Sequence, residues 1–187
     1  MIERTLVLFK PDAVQRGIVG EILSRFEKVG MKIIGLKMLD AGEEQLAQHY
    51  YKDEKWLEEK GKKIIEKKGY EENYDPKKAG QEIVDGLMKD MRISPIIAMV
   101  LEGHNAVMTV KRLAGPTNID EAAPGTIRGD YSHDTFDLAN VSNRPNLTII
   151  HATDDPKEAE KEISIWFDRN ELHSYEKPED KLHHRKF

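Results

Sequence analysis

The chain has 187 residues with no cysteine, 39% hydrophobic and 34% charged residues, and 29 basic against 34 acidic side chains, for a formal net charge of -5. Without cysteine there is no disulfide framework, thiolate metal site or thiol nucleophile, so covalent catalysis needs a nitrogen or an oxygen. A mean hydropathy of -0.64, no apolar run near ~18 residues and a strand-like segment directly after Arg4 argue against a membrane span or signal peptide. The expectation is one cytoplasmic globular domain over 1–187, too acidic to be held on nucleic acid by bulk charge.

Thr5 to Phe9 (TLVLF) is a continuous apolar run of the kind found in a central strand covered on both faces. It breaks at Lys10-Pro11-Asp12. Val19, Ile22, Leu23, Phe26 and Val29 recur at helical spacing ahead of Gly30, which predicts a helix over Val19 to Val29. Met31 to Leu39 returns to strand character. Helical stretches follow at Glu43 to Tyr51 and Gln81 to Met91, with a Lys/Glu-rich, solvated helical segment, Asp53 to Lys68, between them. Ile96 to Leu101 (IIAMVL) is another strand, and Asn105 to Leu113 a helix. Gly115 to Gly129 is a loop longer than about 12 residues, a length more often functional than idle. Leu147 to Ile150 is a last strand leading into His151. Asp155, Pro156 and Glu158 then sit at cap and first-turn positions of a helix whose buried stripe is Ala159, Ile163, Trp166 and Phe167. This order predicts an α+β fold, a βαββαβ unit with a four-stranded antiparallel sheet and helices on one face. Lys177 to Phe187 reads as a polar tail.

Of the seven histidines, His49, His104, His133, His173, His183 and His184 fall on helix ends, loops or the tail, where solvated or capping roles are expected. His151 stands at the end of an apolar strand before a helix N-terminus. Position alone is served by a satisfied structural histidine. The neighbourhood adds a second reading, because a helix N-terminus favours anions and neutral imidazole is a competent nucleophile toward phosphorus. No second histidine or cysteine lies at ligand spacing, so no metal cage is expected around it. Lys10, at the carboxyl end of a central strand, and Arg128 in Thr126-Ile127-Arg128-Gly129-Asp130 could each grip phosphate. There is no G-x-x-x-x-G-K-[ST] loop and no G-x-G-x-x-G turn, so scattered basic side chains would have to bind a nucleotide.

Together these segments resemble the nucleoside diphosphate kinase family over nearly the whole chain. LVLFKPDAVQRGIVGEILSRFEKVGMKIIGLK is similar to the family's opening, SPIIAMVLEG to its third strand, APGTIRGD to its late loop and IIHATDDPKEAEKEISIWF to its active-site strand and helix. The resemblance implies a ferredoxin-like sandwich with added helices. It implies transfer of the terminal phosphate of a nucleoside triphosphate, typically ATP, to a nucleoside diphosphate through a phosphohistidine. By motif, His151 is the nucleophile and Glu162 the carboxylate on its other ring nitrogen. Lys10 and Arg128 meet the transferring phosphoryl group, Thr117 hydrogen-bonds phosphates and Tyr50 stands near His151. Leu87 lines the base, Lys111 stands where the family has a phosphate-gripping arginine, and Thr148, or Asn146 beside it, reaches the sugar. Mg2+ would be carried by the nucleotide's phosphates, and a homo-oligomer, a hexamer, is implied.

The departures from the family are local. A lysine-rich insertion, about 51–80, follows Tyr50, and the aromatic that stacks on the base is missing, with Ile83 or Val84 nearest by count and Trp56 or Tyr74 as possible replacements. Losing such a ring removes a contact of ~1 to 3 kcal/mol. Tyr131 to Pro145 is also longer than the family's. Ile93-Ser94-Pro95 stands for Ser-Gly-Pro, and His151-Ala152-Thr153-Asp154 for His-Gly-Ser-Asp. Other functions open to the same residues are a histidine phosphocarrier serving a protein partner and a non-catalytic nucleotide or RNA-binding module.

Overall fold

The structure is a computed structural model that describes residues 2–71 and 73–178, so the expected tail lies outside the described residues beyond 178. In chain order, β1 (Ile2–Phe9) leads into α1 (Pro11–Gln15) and α2 (Val19–Lys28), and β2 (Lys32–Leu39) into α3 (Glu43–His49), α4 (Glu54–Lys68) and α5 (Pro76–Asp90). After β3 (Ile96–His104) come α6 (Ala106–Ala114), α7 (Ile127–Tyr131) and α8 (Phe136–Val141), then β4 (Ile150–Ala152) and α9 (Pro156–Trp166). The sheet order is β2-β3-β1-β4 and every pairing is antiparallel, the ferredoxin-like arrangement that the element order predicts. No helix among the described residues is long and apolar enough to cross a membrane.

Helices cover both faces of this sheet, which corrects the expectation of one. Leu6 and Leu8 pack with Leu46, Val84, Ile163 and Trp166 of α3, α5 and α9. Val7 and Phe9 pack with Ile22, Phe26 and Val110 of α2 and α6. Successive strand side chains point to opposite faces, and Leu6, Val7, Leu8 and Phe9 are all 0% exposed. At about 1.5–3 kcal/mol for each such side chain buried, both faces have to be closed.

The same alternation positions the chemistry. His151 pairs with Leu8 across the β1–β4 ladder, so it shares Leu8's face and looks toward α3 and α9. Lys10, two residues beyond Leu8, falls on that face too, and its N–H extends the ladder to the Ile149 carbonyl at 2.9 Å. The chain before β4 is not the regular strand expected from Leu147 onward. Ile149 has φ +68°, and the Ile150 N–H donates back to the Thr148 carbonyl at 2.7 Å, a γ-turn of the rare positive-φ kind. A β-branched residue is strained there. Its surroundings hold it: the Ile149 N–H donates to Asp12 Oδ2 at 3.0 Å and its side chain is 0% exposed.

The lysine-rich segment forms α4, capped by Asp53, whose carboxylate accepts from the Trp56 N–H. It packs against α5, which starts at Asp75-Pro76 rather than Gln81 because its first turn carries no apolar signal. The two helices meet at glycines. A Cβ on Gly61 would lie 1.7 Å from the Pro76 carbonyl oxygen, and one on Gly80 2.1 Å from that of Leu57. Both obstacles are backbone and cannot swing aside. Gly80→Ala is therefore expected to push α4 off α5, at a cost of about 2–3 kcal/mol and a fall in Tm of about 4–12 °C. Calorimetry and limited proteolysis of the turn between them check this, and an unchanged melt with unchanged cleavage would rule it out.

Candidate active site

The open ends of β1 and β4, the last residues of α6 and the flank of α5 enclose a cavity of about 460 Å³. Lys10, Tyr50, Leu87, Lys111, Thr117, Arg128, Thr148 and His151 all line it. Residues expected from distant parts of the chain thus meet at one place. Glu162 stands behind His151 rather than in the cavity. Ile83, Val84, Trp56 and Tyr74 are not among the lining residues. Val84 and Trp56 pack into the α3/α5/α9 core, and the Tyr74 hydroxyl donates to Glu82.

His151 is held by its back nitrogen. Nε2 lies 2.9 Å from Glu162 Oε2, and the Thr153 hydroxyl donates to the same oxygen. In the neutral ring Nε2–H is the donor, which leaves Nδ1 with the free lone pair. Burial pushes the Glu162 carboxyl up, but the interactions with His151, His49 and Thr153 hold it below the usual range. It remains an anion that would stabilise positive charge on the ring.

His49 was expected to be solvated or capping, and the structure corrects that. It is 7% exposed. Its ring stands edge-on to His151, with centroids 4.5 Å apart and planes at 79°, and its Nδ1 accepts from the Trp166 indole N–H at 3.2 Å. Burial, with His151 adding to it, pushes its pKa down to about 3, so this neighbour of His151 stays neutral. His49, His151 and Glu162 offer three ligand atoms within 4.8 Å of one another, a cluster invisible in residue spacing. Within this cluster His49 Nδ1 already accepts from Trp166, and His151 Nε2 and the Thr153 hydroxyl bond Glu162.

His49 also has a consequence for stability. An unfolded chain protonates this histidine below about pH 6.5, whereas the folded protein refuses the proton until about pH 3. Stability contributed by the neutral ring is intact above about pH 6.5 and declines as pH falls toward 3, by about 2 kcal/mol at about pH 5. His49→Asn keeps an acceptor near the Trp166 N–H and does not titrate. Denaturant unfolding at the two pH values should show it losing about 2 kcal/mol less than the natural chain between pH 7 and 5. An identical loss would remove His49 as the cause.

The Lys10 ammonium is almost fully buried, 3.9 Å from Asp90 Oδ2. Burial pulls its pKa below the ordinary lysine value, while Asp90 and Asp12 oppose the fall. Arg128 is also buried and directs its fork at the backbone: Nε donates to Thr148 O at 3.3 Å, Nη1 to Gly115 O at 2.5 Å and Nη2 to Ile150 O at 2.9 Å. A guanidinium has five N–H donors, so this arginine staples α6 to the β4 approach and still has donors for a ligand. Gly115 permits the staple, since its φ is +79° and a Cβ there would sit 2.7 Å from Thr126 Oγ1. Lys111 is exposed at the rim and paired with Asp154 Oδ1 at 2.8 Å. Asn146, beside Thr148 in the expectation, also lines the cavity, and its buried Nδ2 has no partner among the described residues.

The nucleoside diphosphate kinase family model matches residues 3–65 and 55–172. A nucleoside diphosphate kinase of Pyrobaculum aerophilum is 46% identical over 181 residues, covering 91% of this chain and 98% of that protein. The crystal structure of an NDP kinase from the same organism superposes with a TM-score of 0.86 at 42% identity, over 93% of this chain and 100% of that one. A Borrelia burgdorferi nucleoside-diphosphate kinase, solved as a transition state mimic with bound vanadate and ADP, has a TM-score of 0.79 at 31% identity over 97% of this chain and 96% of that one. With matches that run almost end to end and a cavity assembled from the residues that the motifs single out, the chain belongs to the nucleoside diphosphate kinase family.

Proposed function

We propose that this chain moves the terminal phosphate of a nucleoside triphosphate, typically ATP, to a nucleoside diphosphate in two half-reactions at His151. In the first, the Nδ1 lone pair attacks the γ-phosphorus and the bond to the bridging oxygen breaks, so the diphosphate departs with the electron pair. In the second, a terminal oxygen of another diphosphate attacks the same phosphorus and the P–N bond breaks. The observation that carries this reading is the 2.9 Å Nε2–Glu162 contact, which fixes the tautomer with Nδ1 unprotonated in a histidine lining the cavity. Phosphoryl transfer asks mainly for positioning and positive charge, and Lys10, Arg128 and Lys111 line the same cavity. Bound vanadate and ADP in the Borrelia relative favour the same chemistry.

The acid lining the cavity is Asp154, already paired with Lys111. A hard divalent cation takes oxygen ligands, so the residues present suit Mg2+ held chiefly by the nucleotide's own phosphates, with Asp154 as the nearby protein oxygen. Such an ion would neutralise phosphate charge. Leu87 faces the nucleoside, and the unused Asn146 amide and the Thr148 hydroxyl are the groups for the sugar. The homo-oligomer, a hexamer by resemblance, belongs to the same proposal. Leu36 and Met38, 50% and 59% exposed on the edge strand β2, offer apolar surface to a second copy, and sedimentation measures the assembly.

The test is to incubate the protein with Mg2+ and γ-labelled ATP. The expected product is an acid-labile, alkali-stable phosphoprotein cleared by GDP or CDP with formation of the triphosphate. A protein that never becomes labelled sinks the mechanism, and label that no diphosphate removes would make it a phosphocarrier instead.

A further inference from the structure

Asp90 is the last residue of α5 and one of the acids buried closest to the cavity, yet the two half-reactions give it no part. It lies one helical turn beyond Leu87, which lines the cavity, and so projects on the same side of α5. Its carboxylate takes no hydrogen bond among the described residues; what it faces is the Lys10 ammonium at 3.9 Å, with side-chain exposures of 7% and 6%. That separation is too long for a hydrogen bond. Lys10 can turn toward the cavity it lines without breaking one.

The other acid near Lys10 is committed elsewhere. Asp12 Oδ2 accepts the Ile149 N–H at 3.0 Å and braces the γ-turn ahead of His151. Asp90 has no such duty.

We propose that Asp90 is a positioning residue for phosphoryl transfer, holding the Lys10 ammonium charged at the cavity wall until phosphate oxygens take its place. The proposal rests on the kinase reading above. A lysine this buried, with no hydrogen bond to a carbonyl or hydroxyl among the described residues, is driven toward its neutral form. Of the groups that oppose this, Asp90 contributes most, ahead of Asp12, while Arg128 works against both. His49 and Tyr50 on the α3 side and His151 on β4 also face this region, as does Glu162 behind them. Asp90 in turn feels Arg144 and Asp134 from the segment before β4. When the ammonium moves to a phosphate, Asp90 is left as an anion in a poorly solvated place, and this favours return of Lys10 once product leaves.

Asp90→Asn, nearly the same in shape, and Asp90→Glu, which keeps the charge, are compared with the natural protein by two measurements. The first is kcat and KM for MgATP from about pH 6.5 to 10 with a diphosphate as acceptor. The second is the titration of lysine Cε by 13C NMR without nucleotide, the Lys10 signal being assigned by its loss in Lys10→Met. In Asp90→Asn the alkaline limb of kcat/KM, which reports the nucleotide-free enzyme, is expected to move down by about one pH unit. Beyond that limb kcat/KM is then about tenfold lower, while at pH 6.5 it stays within about threefold and kcat at saturation changes less than about twofold. Lys10 should titrate lower by a similar amount, and Asp90→Glu should restore both. A purely repulsive Asp90 would instead give a lower KM and an unmoved limb in Asp90→Asn. That result overturns the proposal, as does a loss independent of pH or a Lys10 titration unmoved in the folded variant. If Asp90→Asn does not fold, Asp90→Ser takes its place under the same criteria. Turnover of the natural protein decides the kinase reading by itself, and the Lys10 titration needs no turnover.

Discussion

His151→Ala should abolish the phosphoenzyme and lower turnover by at least about 10⁴-fold, because no other imidazole lines the cavity to take the phosphoryl group in its place. The cavity offers one imidazole nitrogen with a free lone pair. His49, the ring in contact with it, is buried and has its Nδ1 accepting from Trp166. Its remaining nitrogen therefore carries the proton and is no nucleophile. Diphosphate affinity should change less than about threefold, since Lys10, Arg128, Lys111 and Thr117 are untouched and a side chain acting only in the covalent step adds little to ground-state binding. Calorimetry of diphosphate binding and a gel assay for labelled protein read the two quantities separately. Retained labelling would move the nucleophile to another residue. Equal collapse of binding and turnover would make His151 a structural residue that supports the cavity wall.

His151 is legible in the sequence as a candidate nucleophile for a physical reason: a histidine after an apolar strand and before a capped helix has its backbone fixed on both sides. Strand ends likewise point Lys10 toward an open rim. Lys10, Tyr50, Leu87, Lys111, Thr117, Arg128 and Thr148 were placed by motif, and all of them line the one cavity. What spacing could not reveal is what tertiary packing decides. His49 sits at a helix end like any solvated histidine, and only the arrival of Trp166 from α9 buries it. The single local hint was its neighbour, Tyr50. Asp90 looks like one more charge in a lysine- and aspartate-rich helix until β1 brings Lys10 up to it. The γ-turn at Ile149 has no signature either, since a β-branched residue disfavours positive φ; Asp12 and Lys10, far away in sequence, hold the conformation. The second helical layer, by contrast, follows from four consecutive apolar residues in β1, because alternating side chains put two of them on each face of the sheet.

Arg128 is where binding and folding are hardest to separate, and Arg128→Ala is the second large effect expected. Its guanidinium bonds three carbonyls contributed by the end of α6 and the two sides of the Ile149 turn. Burial pulls its pKa down to about 10, with Asp154 opposing, so it stays charged at neutral pH. Removing it leaves those carbonyls without their charged donor, although the open cavity lets water reach some of them. About 3 kcal/mol of stability should be lost, a fall in Tm of about 6–12 °C. The cavity also loses a fixed positive charge, and kcat/KM should fall about 10²–10³-fold. Arg128→Lys separates the two roles. A single ammonium cannot span three carbonyls, so it should melt nearly as low as the alanine variant while recovering part of the activity through its charge. If Arg128→Ala loses activity with no change in Tm, the carbonyl bonds contribute nothing to stability and the residue serves the phosphate alone. If Arg128→Lys melts like the natural protein, the fork is not what ties α6 to β4, and the staple must be sought in Gly115 and Thr126 instead.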